Sequence, residues 1–381
     1  MNNFSGLATL TDGFHLGNTS GFATPRTQRI IVFAGFCGET RFIHGTVRRY
    51  GFLAGSAALA CVPRAARATG GLDVDDGAAA PHVMRVLLAT GSVETPQQLE
   101  PWRFGWRGRT YRGIFGSVAL PDGRSALVNA LPLDAYLYGV LSREVSPGWA
   151  PSAQQAQAIV SRTYALLKLR PERPYDIVAG DADQNYGGIE SESVEGRAAV
   201  DATSGKIVSY GGRPARVAYS ACCGGRTASA AQVWDTPYPY LPSIADPYCA
   251  NAPLFAWQTS IAVAPLARPR APLAGVGALE SVAIVGTPGL RPDGLACVGR
   301  AGTIDVSLPL LRAEAGPTVV RSAYVRVAQV ADGGASLALE GTGFGHGVGL
   351  CQWGARGLGA QGTAATAIVA FYFPGTTLAR A

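Results

Sequence analysis

Apolar and polar positions alternate in short runs over residues 82–130. Turn-forming groups such as Gly108-Arg109 and Pro121-Asp122-Gly123 separate these runs. A period of two residues between turns is typical of short β-strands joined by hairpins. The pattern predicts four strands, at His82–Leu88, Trp102–Trp106, Thr110–Phe115 and Ala126–Ala130.

The segment 131–170 follows a helical period instead. Leu133, Leu137, Val140 and Leu141 share one face at this spacing, and Glu144 falls on the same face. Pro147-Gly148 predicts a break in the helical run. We expect a second helix to begin near Ser152, with a narrow face of small residues that suits close packing.

Strands and loops return after residue 175. Lys206–Tyr210 and Arg216–Ser220 flank Gly211-Gly212, which predicts a hairpin. Further strands are predicted at Ser281–Val285 and Ala323–Val330. A glycine-dense run, 341–362, precedes a helix predicted at Thr363–Tyr372. Strand runs and helical runs together predict an α+β fold.

Composition narrows the classes of protein. The chain has 381 residues, of which 48% are hydrophobic, so it can bury a core and is not disordered throughout. Its 49 glycines and 25 prolines favour many turns over a long helical bundle. The net charge is +6, but residues 69–381 hold 25 basic and 24 acidic residues. The basic excess therefore belongs to residues 1–68, and the sequence predicts no nucleic-acid partner.

The basic segment has the pattern of a secretory leader. Arg48-Arg49 precede the apolar run Gly51–Val62, and Ala66-Arg67-Ala68 offers a small-residue cleavage site. We predict a signal peptide at 47–68 and export to the periplasm or cell envelope, with the arginine pair indicating the twin-arginine route. Cys61 is a candidate for lipidation. Residues 1–46 are expected to precede the true start, and 69–80 to link the leader to a functional region at 81–381.

Glu144 is the first candidate for chemistry. It stands at the C-terminal end of the first predicted helix, where the helix dipole disfavours an anion. Partial burial beside Trp149 would act in the same direction. Both effects raise the pKa of a carboxyl group, as a general acid at neutral pH requires. The alternative is an exposed glutamate at a helix end.

Arg162, on the second helix, is either a buried partner of a carboxylate or a surface arginine.

Five cysteines follow the leader: Cys222, Cys223, Cys249, Cys297 and Cys351. Export favours a disulfide from one of the adjacent pair to Cys249. The alternative is a zinc site that uses Cys222, Cys223, Cys249 or His346, although adjacent cysteines lack the spacing of zinc knuckles.

His346 lies within the glycine-dense run. No Lys-Ser/Thr pair follows these glycines, so the run is not a phosphate-binding loop. We expect its backbone to pack closely against a ligand or another chain segment. A nucleophile and base formed by Cys351 and His346 is a further alternative.

Several ordered motifs resemble the stage II sporulation protein D (SpoIID) family, which includes amidase-enhancer proteins. The resemblance covers about 125–260 and 340–378, with 261–339 as an intervening subdomain. The matching segments are Leu133–Val140 with Glu144, Trp149–Gln157, Ser161–Tyr164, Tyr175–Ile177, Gln184–Gly187, Ala202–Gly205, Ser220–Thr227, Pro239–Leu241, Gly343–Ala355 and Tyr372–Gly375.

The resemblance implies a peptidoglycan lytic transglycosylase. Such an enzyme cleaves the β-1,4 bond between N-acetylmuramic acid and N-acetylglucosamine and leaves 1,6-anhydro ends, with Glu144 as general acid and base. It implies that the groove for the glycan strand is formed with the glycine-rich segment and lined by Arg162, Gln184, Tyr186, Ser220, His346 and Gln352. The family's alternative role is a non-catalytic, glycan-binding enhancer of an N-acetylmuramoyl-L-alanine amidase.

The cysteines depart from the family pattern. Cys222-Cys223 stands where many relatives carry small polar residues, and Cys249 stands where an acid is common. We interpret the two departures as coupled, which favours a Cys223–Cys249 disulfide. No cofactor is expected, with zinc as the alternative because some relatives hold zinc near the groove.

Overall fold

The computed structural model describes residues 31–32, 82–180 and 182–381. Apart from Ile31–Val32, the predicted leader and the linker at 69–80 lie outside the described residues. Helices and several separate sheets occur together, which confirms the predicted α+β class. No helix in the described part combines the length and the apolar character needed to cross a bilayer.

The N-terminal part is built on a five-stranded sheet. Its strands, in spatial order, are β1 (Ile31–Val32), β6 (Ile114–Ala119), β7 (Ser125–Pro132), β2 (Val83–Thr90) and β8 (Ile177–Val178). A smaller sheet follows the chain order β3 (Gln97–Glu100), β4 (Arg103–Trp106) and β5 (Arg109–Arg112). The strand predicted at Thr110–Phe115 is divided at Gly113. This residue has a φ of +94° and leaves no room for a side chain beside the Ala130 carbonyl.

Two helices follow directly, as predicted. Helix α1 (Leu133–Glu144) begins where β7 ends, and helix α2 (Pro151–Lys168) follows the break at Pro147-Gly148. The apolar face of α1 is fully buried and includes Leu137, Val140 and Leu141. Helix α3 (Val194–Ala202) was not predicted; Ser193 caps it by accepting a hydrogen bond from the Gly196 N–H at 2.9 Å. A single 3₁₀ turn, Ile189–Ser191, precedes it.

The central part contains the predicted turn but a different pairing. β9 (Lys206–Tyr210) turns at Gly211-Gly212 into β10 (Arg213–Pro214), and β19 (Thr377–Arg380) pairs with the other edge of β9. The predicted second strand, Arg216–Ser220, is wrong as a hairpin partner. Its last two residues form β11 (Tyr219–Ser220), which pairs in parallel with β18 (Leu350–Cys351).

Short helices surround this parallel pair. They are α4 (Ala230–Trp234), the 3₁₀ turn Pro247–Cys249, α7 (Gln352–Ala360) and α8 (Ala365–Tyr372). Helix α8 confirms the helix predicted at Thr363–Tyr372, whereas α7 lies inside the glycine-dense run, where no helix was predicted.

The intervening segment has an apolar core of its own, which includes Trp257, Leu295, Leu308 and Leu337. One of its sheets has the order β12 (Ala256–Ala262), β17 (Ser336–Thr342), β16 (Val325–Ala331), and the other follows the chain as β13 (Leu279–Val285), β14 (Gly294–Gly299) and β15 (Gly302–Ser307). The remaining elements are α5 (Val263–Leu266), α6 (Leu308–Ala315) and the 3₁₀ turn Asp332–Gly334.

Arg162 joins three of the elements around α2. It is 1% exposed, and its Nε donates to Asp134 Oδ1 at 2.8 Å, in the first turn of α1. Its Nη2 donates to the Val200 carbonyl of α3 at 3.0 Å, and its Nη1 to the Lys206 carbonyl of β9 at 3.2 Å. The guanidinium therefore holds α1, α3 and β9 against α2.

Replacing Arg162 by methionine should lower the free energy of unfolding by about 3 kcal/mol. The substitution leaves Asp134 without its cation and removes the guanidinium hydrogen bonds to the Val200 and Lys206 carbonyls. Urea denaturation measures the loss. Arg300→Met is the matched control, because the Arg300–Glu280 pair is exposed and 3.8 Å long, so its loss should stay below about 1 kcal/mol. Equal losses in the two variants would contradict the role given to Arg162.

Candidate functional site

Glu144 is half-buried at the last position of α1. The helix ends here because Val145 is extended, with a φ of −135°, and Pro147 disfavours a helical conformation of the residue before it. The Asn185 backbone N–H donates to Glu144 Oε1 at 3.1 Å. The Gln352 side chain donates from Nε2 to Oε2 at 3.4 Å. Each carboxylate oxygen thus has a donor from a different part of the chain, and the two donors orient the carboxyl group.

Gln184 supports the loop that supplies the Asn185 donor. Its side chain is fully buried, and its Oε1 accepts a hydrogen bond from the Tyr136 hydroxyl at 3.1 Å. Its Nε2 donates to the Tyr219 hydroxyl at 3.1 Å and to the Ser161 carbonyl at 3.4 Å. The amide of Gln184 is thus hydrogen-bonded to other protein groups. Gln184 positions the adjacent Asn185, whose N–H contacts Glu144.

The negative charge of Glu144 contributes to the raised pKa values of two buried phenols, Tyr219 and Tyr136. Burial raises the pKa of Tyr219, and the negative charge of Glu144 raises it further. Burial likewise raises the pKa of Tyr136, with a smaller contribution from the same carboxylate. Both groups therefore remain neutral hydroxyls, which can donate and accept hydrogen bonds.

The C-terminal segment reaches Glu144 through Gln352, the first residue of α7. The neighbouring Trp353 packs edge-on against Trp149, with ring centroids 5.4 Å apart. The Arg356 guanidinium lies over the Trp353 ring at 4.6 Å. The aromatic pair therefore joins α7 to the turn between α1 and α2, beside the carboxyl group that Gln352 contacts.

The glycine-dense run packs against the segment that carries Ser220. The Gly347 N–H donates to Ser220 Oγ at 3.2 Å. At Gly345, which has a φ of +108°, a Cβ atom would lie 2.7 Å from the Ser220 Cβ. The glycines are needed here because one backbone lies directly on another, as the sequence predicted.

His346 lies in the same run and is half-buried. Its Nδ1 accepts a hydrogen bond from the Val348 N–H at 3.0 Å, and its ring lies 5.2 Å from that of Trp234. Burial lowers the pKa of His346 to about 4, the charge of Arg312 contributes, and a hydrogen bond to the Tyr219 backbone opposes the shift. The imidazole is therefore neutral at physiological pH.

Only some of the predicted site residues lie close to Glu144 in the structure. Glu144 and Gln352 are in contact, Gln184 lies behind them, and Ser220 and His346 belong to the glycine-rich packing. Arg162 is committed to Asp134 in the core. Tyr186 is also buried, with its hydroxyl donating to Asn129 Oδ1 at 2.9 Å and its ring against Tyr136. Arg162 and Tyr186 therefore lie in the core, where their polar groups are bonded to Asp134 and Asn129.

The expected Cys223–Cys249 disulfide is not formed in the structure. The two sulfur atoms are 3.6 Å apart, against about 2.05 Å for a disulfide bond. The five cysteines among the described residues are all thiols. Cys223 and Cys249 instead form a buried cluster with Cys351 and Asp246, whose ligand atoms all lie within 4.8 Å of one another.

The Cys351–His346 pair is not arranged as a nucleophile and base. Cys351 is buried, and its Sγ accepts hydrogen bonds from the backbone N–H groups of Cys223 at 3.2 Å and Gly354 at 3.3 Å. The Nδ1 of His346 is used by Val348. Both side chains are held by backbone groups within the glycine-rich packing.

Sequence reasoning missed three contributors to these arrangements. Asn185 acts through its backbone N–H, for which a side-chain pattern gives no signal. Asp246 was not among the candidates, and Cys351 was considered only as a nucleophile, not as part of a cluster with Cys223 and Cys249. The spacing of Asp246 and Cys249 was a usable signal, because a 3₁₀ turn places residues three apart on the same side.

Comparisons with known proteins agree with the motifs. The family model described as "Stage II sporulation protein" matches residues 122–210, which include Glu144 and Asn185. An uncharacterised protein of Brachyspira hyodysenteriae is 34% identical over 281 residues, covering 71% of this chain and 74% of the relative. The Bacillus subtilis stage II sporulation protein D is 26% identical over 291 residues, covering 69% and 80%. The B. subtilis amidase enhancer is 28% identical over 292 residues, covering 64% of this chain and 40% of the relative.

The lowered pKa of His346 predicts a loss of stability in acid. The unfolded chain binds a proton near pH 6.5, whereas the folded protein does so only near pH 4. The stability that depends on a neutral His346 is therefore fully present above pH 6.5 and is lost as the pH falls toward 4. Urea denaturation should show that His346→Gln removes on the order of 2 kcal/mol of this acid-dependent loss. An unchanged pH dependence in the variant would contradict a His346 that the fold keeps neutral.

Proposed function

Since the chain belongs to the stage II sporulation protein D family, we propose that it is an exported peptidoglycan lytic transglycosylase with Glu144 as its single acid and base. The observation that carries the proposal is the half-buried Glu144 carboxyl group at a helix end, oriented by donors from the Asn185 backbone and the Gln352 side chain.

The reaction needs one proton to leave Glu144 and another to return. Protonated Glu144 donates to the glycosidic oxygen, and the bond from that oxygen to C1 of the N-acetylmuramoyl residue breaks. The resulting carboxylate then accepts the proton of the C6 hydroxyl of the same sugar as its oxygen bonds to C1. The products are a free 4-hydroxyl and a 1,6-anhydro end, and no water is consumed.

Internal attack explains why one carboxyl group suffices. Hydrolysis of a glycoside usually needs two carboxyl groups. Asp183, in the loop that carries Asn185, is already committed: its Oδ1 is bound by Lys168 Nζ at 2.6 Å and its Oδ2 by the Val178 N–H at 2.9 Å. A side chain held in this way is a poor second catalyst, which favours the single-carboxyl mechanism.

The surroundings of Glu144 suit a sugar chain. Gln352 orients the carboxyl group, and the neutral Tyr219 hydroxyl lies beside the amide of Gln184. Trp353 and Trp149 provide apolar rings next to Gln352. Trp234, 45% exposed beside His346, offers a further aromatic face. Rings with polar neighbours match the apolar faces and hydroxyl edges of sugars.

Export is part of the proposal, because the substrate lies outside the cytoplasm. It depends on the signal peptide predicted at 47–68. The net charge of +1 calculated for 69–381 implies that local groups, rather than a general electrostatic field, would hold the glycan.

An amidase enhancer is the second candidate, favoured by the 28% identity to the B. subtilis protein of that name. In that role the same surface would bind glycan, and Glu144 would have no proton to transfer. The two functions differ in one measurable product, the 1,6-anhydro end.

Glu144→Gln should lower the release of 1,6-anhydro ends about 10²- to 10⁴-fold, because the carboxamide cannot transfer the proton. Purified full-length protein is incubated with peptide-free glycan strands, and the ends are counted by mass spectrometry. Glu314→Gln, an exposed glutamate near the end of α6, is the control and should retain wild-type release.

Two outcomes would count against this assignment. Release that survives Glu144→Gln would show that another group transfers the proton. If the wild type releases no anhydro ends but accelerates a purified N-acetylmuramoyl-L-alanine amidase, and Glu144→Gln accelerates it equally, the chain is an enhancer.

Gln352→Ala should lower kcat about 10- to 100-fold with little change in KM, because the carboxyl group loses the amide donor that orients it. The expected split distinguishes positioning from glycan binding. Gln361→Ala, an exposed residue at the end of the same helix, should leave both constants unchanged. An increase in KM alone would show that Gln352 binds substrate and does not orient Glu144.

A further inference from the structure

Four buried side chains converge where three distant segments meet. Cys223 follows β11, Asp246 and Cys249 bracket a 3₁₀ turn, and Cys351 ends β18. Each is at most 1% exposed, and their ligand atoms lie within 4.8 Å of one another. We propose that these three thiols and one carboxylate bind a single zinc ion, which holds the C-terminal segment in place.

The distances approach those of a zinc tetrahedron. Zn–S bonds of about 2.3 Å in tetrahedral geometry place two sulfur atoms about 3.8 Å apart. The Sγ atoms of Cys223 and Cys249 are 3.6 Å apart, and Cys223 Sγ lies 3.1 Å from Asp246 Oδ2. The widest separation, at most 4.8 Å, needs a side-chain shift of about 1 Å to reach the same geometry.

The surroundings of the ligands also suit a metal site. Cys351 Sγ caps the N-terminus of α7 and accepts two backbone N–H groups, which stabilise a thiolate. Asp246 Oδ2 accepts the Tyr372 hydroxyl at 2.9 Å, and Oδ1 accepts the Tyr248 N–H at 3.1 Å. Such outer contacts fix the orientation of metal-binding carboxylates and thiolates.

A nearby cation offsets part of the negative charge of the site. Three thiolates and one carboxylate exceed the charge of Zn²⁺ by two negative units. Arg291 is 3% exposed, and its Nη1 donates to the Cys223 carbonyl at 3.1 Å. Its Nη2 is buried and has no hydrogen-bond partner among the described residues. A buried guanidinium is costly beside neutral thiols but favourable beside an anionic metal centre.

The proposed ion is structural. Four protein ligands complete a tetrahedron, whereas catalytic zinc keeps an open position for water or substrate. Cys351 immediately precedes Gln352, so the ion would fix the residue whose amide contacts Glu144. A Cys223–Cys249 disulfide is the competing arrangement; it would leave Cys351 and Asp246 unlinked.

Measurements of bound metal and of free thiols distinguish the zinc site from the Cys223–Cys249 disulfide. Full-length protein, purified without chelator or reductant, should contain one zinc ion per chain by mass spectrometry. After denaturation with a chelator, Cys223 and Cys249 should both react with a thiol reagent, as peptide mapping shows. A peptide cross-linked between Cys223 and Cys249, in protein without zinc, would overturn the proposal in favour of the disulfide, and neither result depends on enzymatic activity.

Ligand variants locate the ion. Cys351→Ser and Asp246→Asn should each lower zinc occupancy at least tenfold, whereas Cys297→Ser, a buried cysteine in β14, should keep one ion. Stoichiometric zinc in both ligand variants would overturn the assignment.

Cobalt substitution keeps the test decisive if the ligand variants fail to fold. Wild-type protein refolded with Co²⁺ should show tetrahedral cobalt absorption with thiolate charge-transfer bands of three sulfur ligands. An octahedral spectrum, or no thiolate band, would overturn the proposal.

Discussion

The parallel pairing of Tyr219–Ser220 with Leu350–Cys351 is the contact on which the candidate site depends. It joins residues 131 positions apart in register. On one side of the pair, Gln352 reaches the Glu144 carboxyl group. On the other side, Cys351 meets Cys223, Cys249 and Asp246. A shift of the pairing would displace the orienting amide and the thiol cluster together, because they are adjacent residues of one chain segment.

This pairing requires two backbones to lie unusually close. Gly345 lets the C-terminal run approach Ser220, Gly347 leaves room for the Arg291 guanidinium, and Gly354 leaves room for the Tyr372 hydroxyl and the Asp246 carboxylate. Side chains at these positions would separate the segments. The glycine density that stands out in the sequence is thus a packing requirement, and it links the composition of the chain to the position of its catalytic candidate.

The sequence was sufficient for the parts of the fold that have a strong local period. The apolar face of α1 predicted its helix, the position of Glu144 at its end, and the break before α2. Tyr219–Ser220 and Leu350–Cys351 are too short to show a period, so their pairing could not be predicted. Helix α7 was not predicted because glycine has a low helix propensity, so a glycine-dense run does not indicate a helix. Cys223 and Cys249 were paired because both depart from the family pattern, whereas the structure groups them with Cys351 and Asp246 through long-range contacts.

The proposed chemistry requires the glycosidic bond to lie at the Glu144 carboxyl group, between the two segments that orient it. A crystal structure of the Glu144→Gln variant with a peptide-free glycan fragment tests this directly, because the carboxamide N–H can mimic the protonated acid. We expect the scissile oxygen within about 3.2 Å of the substituted side chain, with sugar faces against Trp353 or Trp149. A glycan bound elsewhere, with every glycosidic oxygen beyond hydrogen-bond reach of position 144, would contradict the assignment.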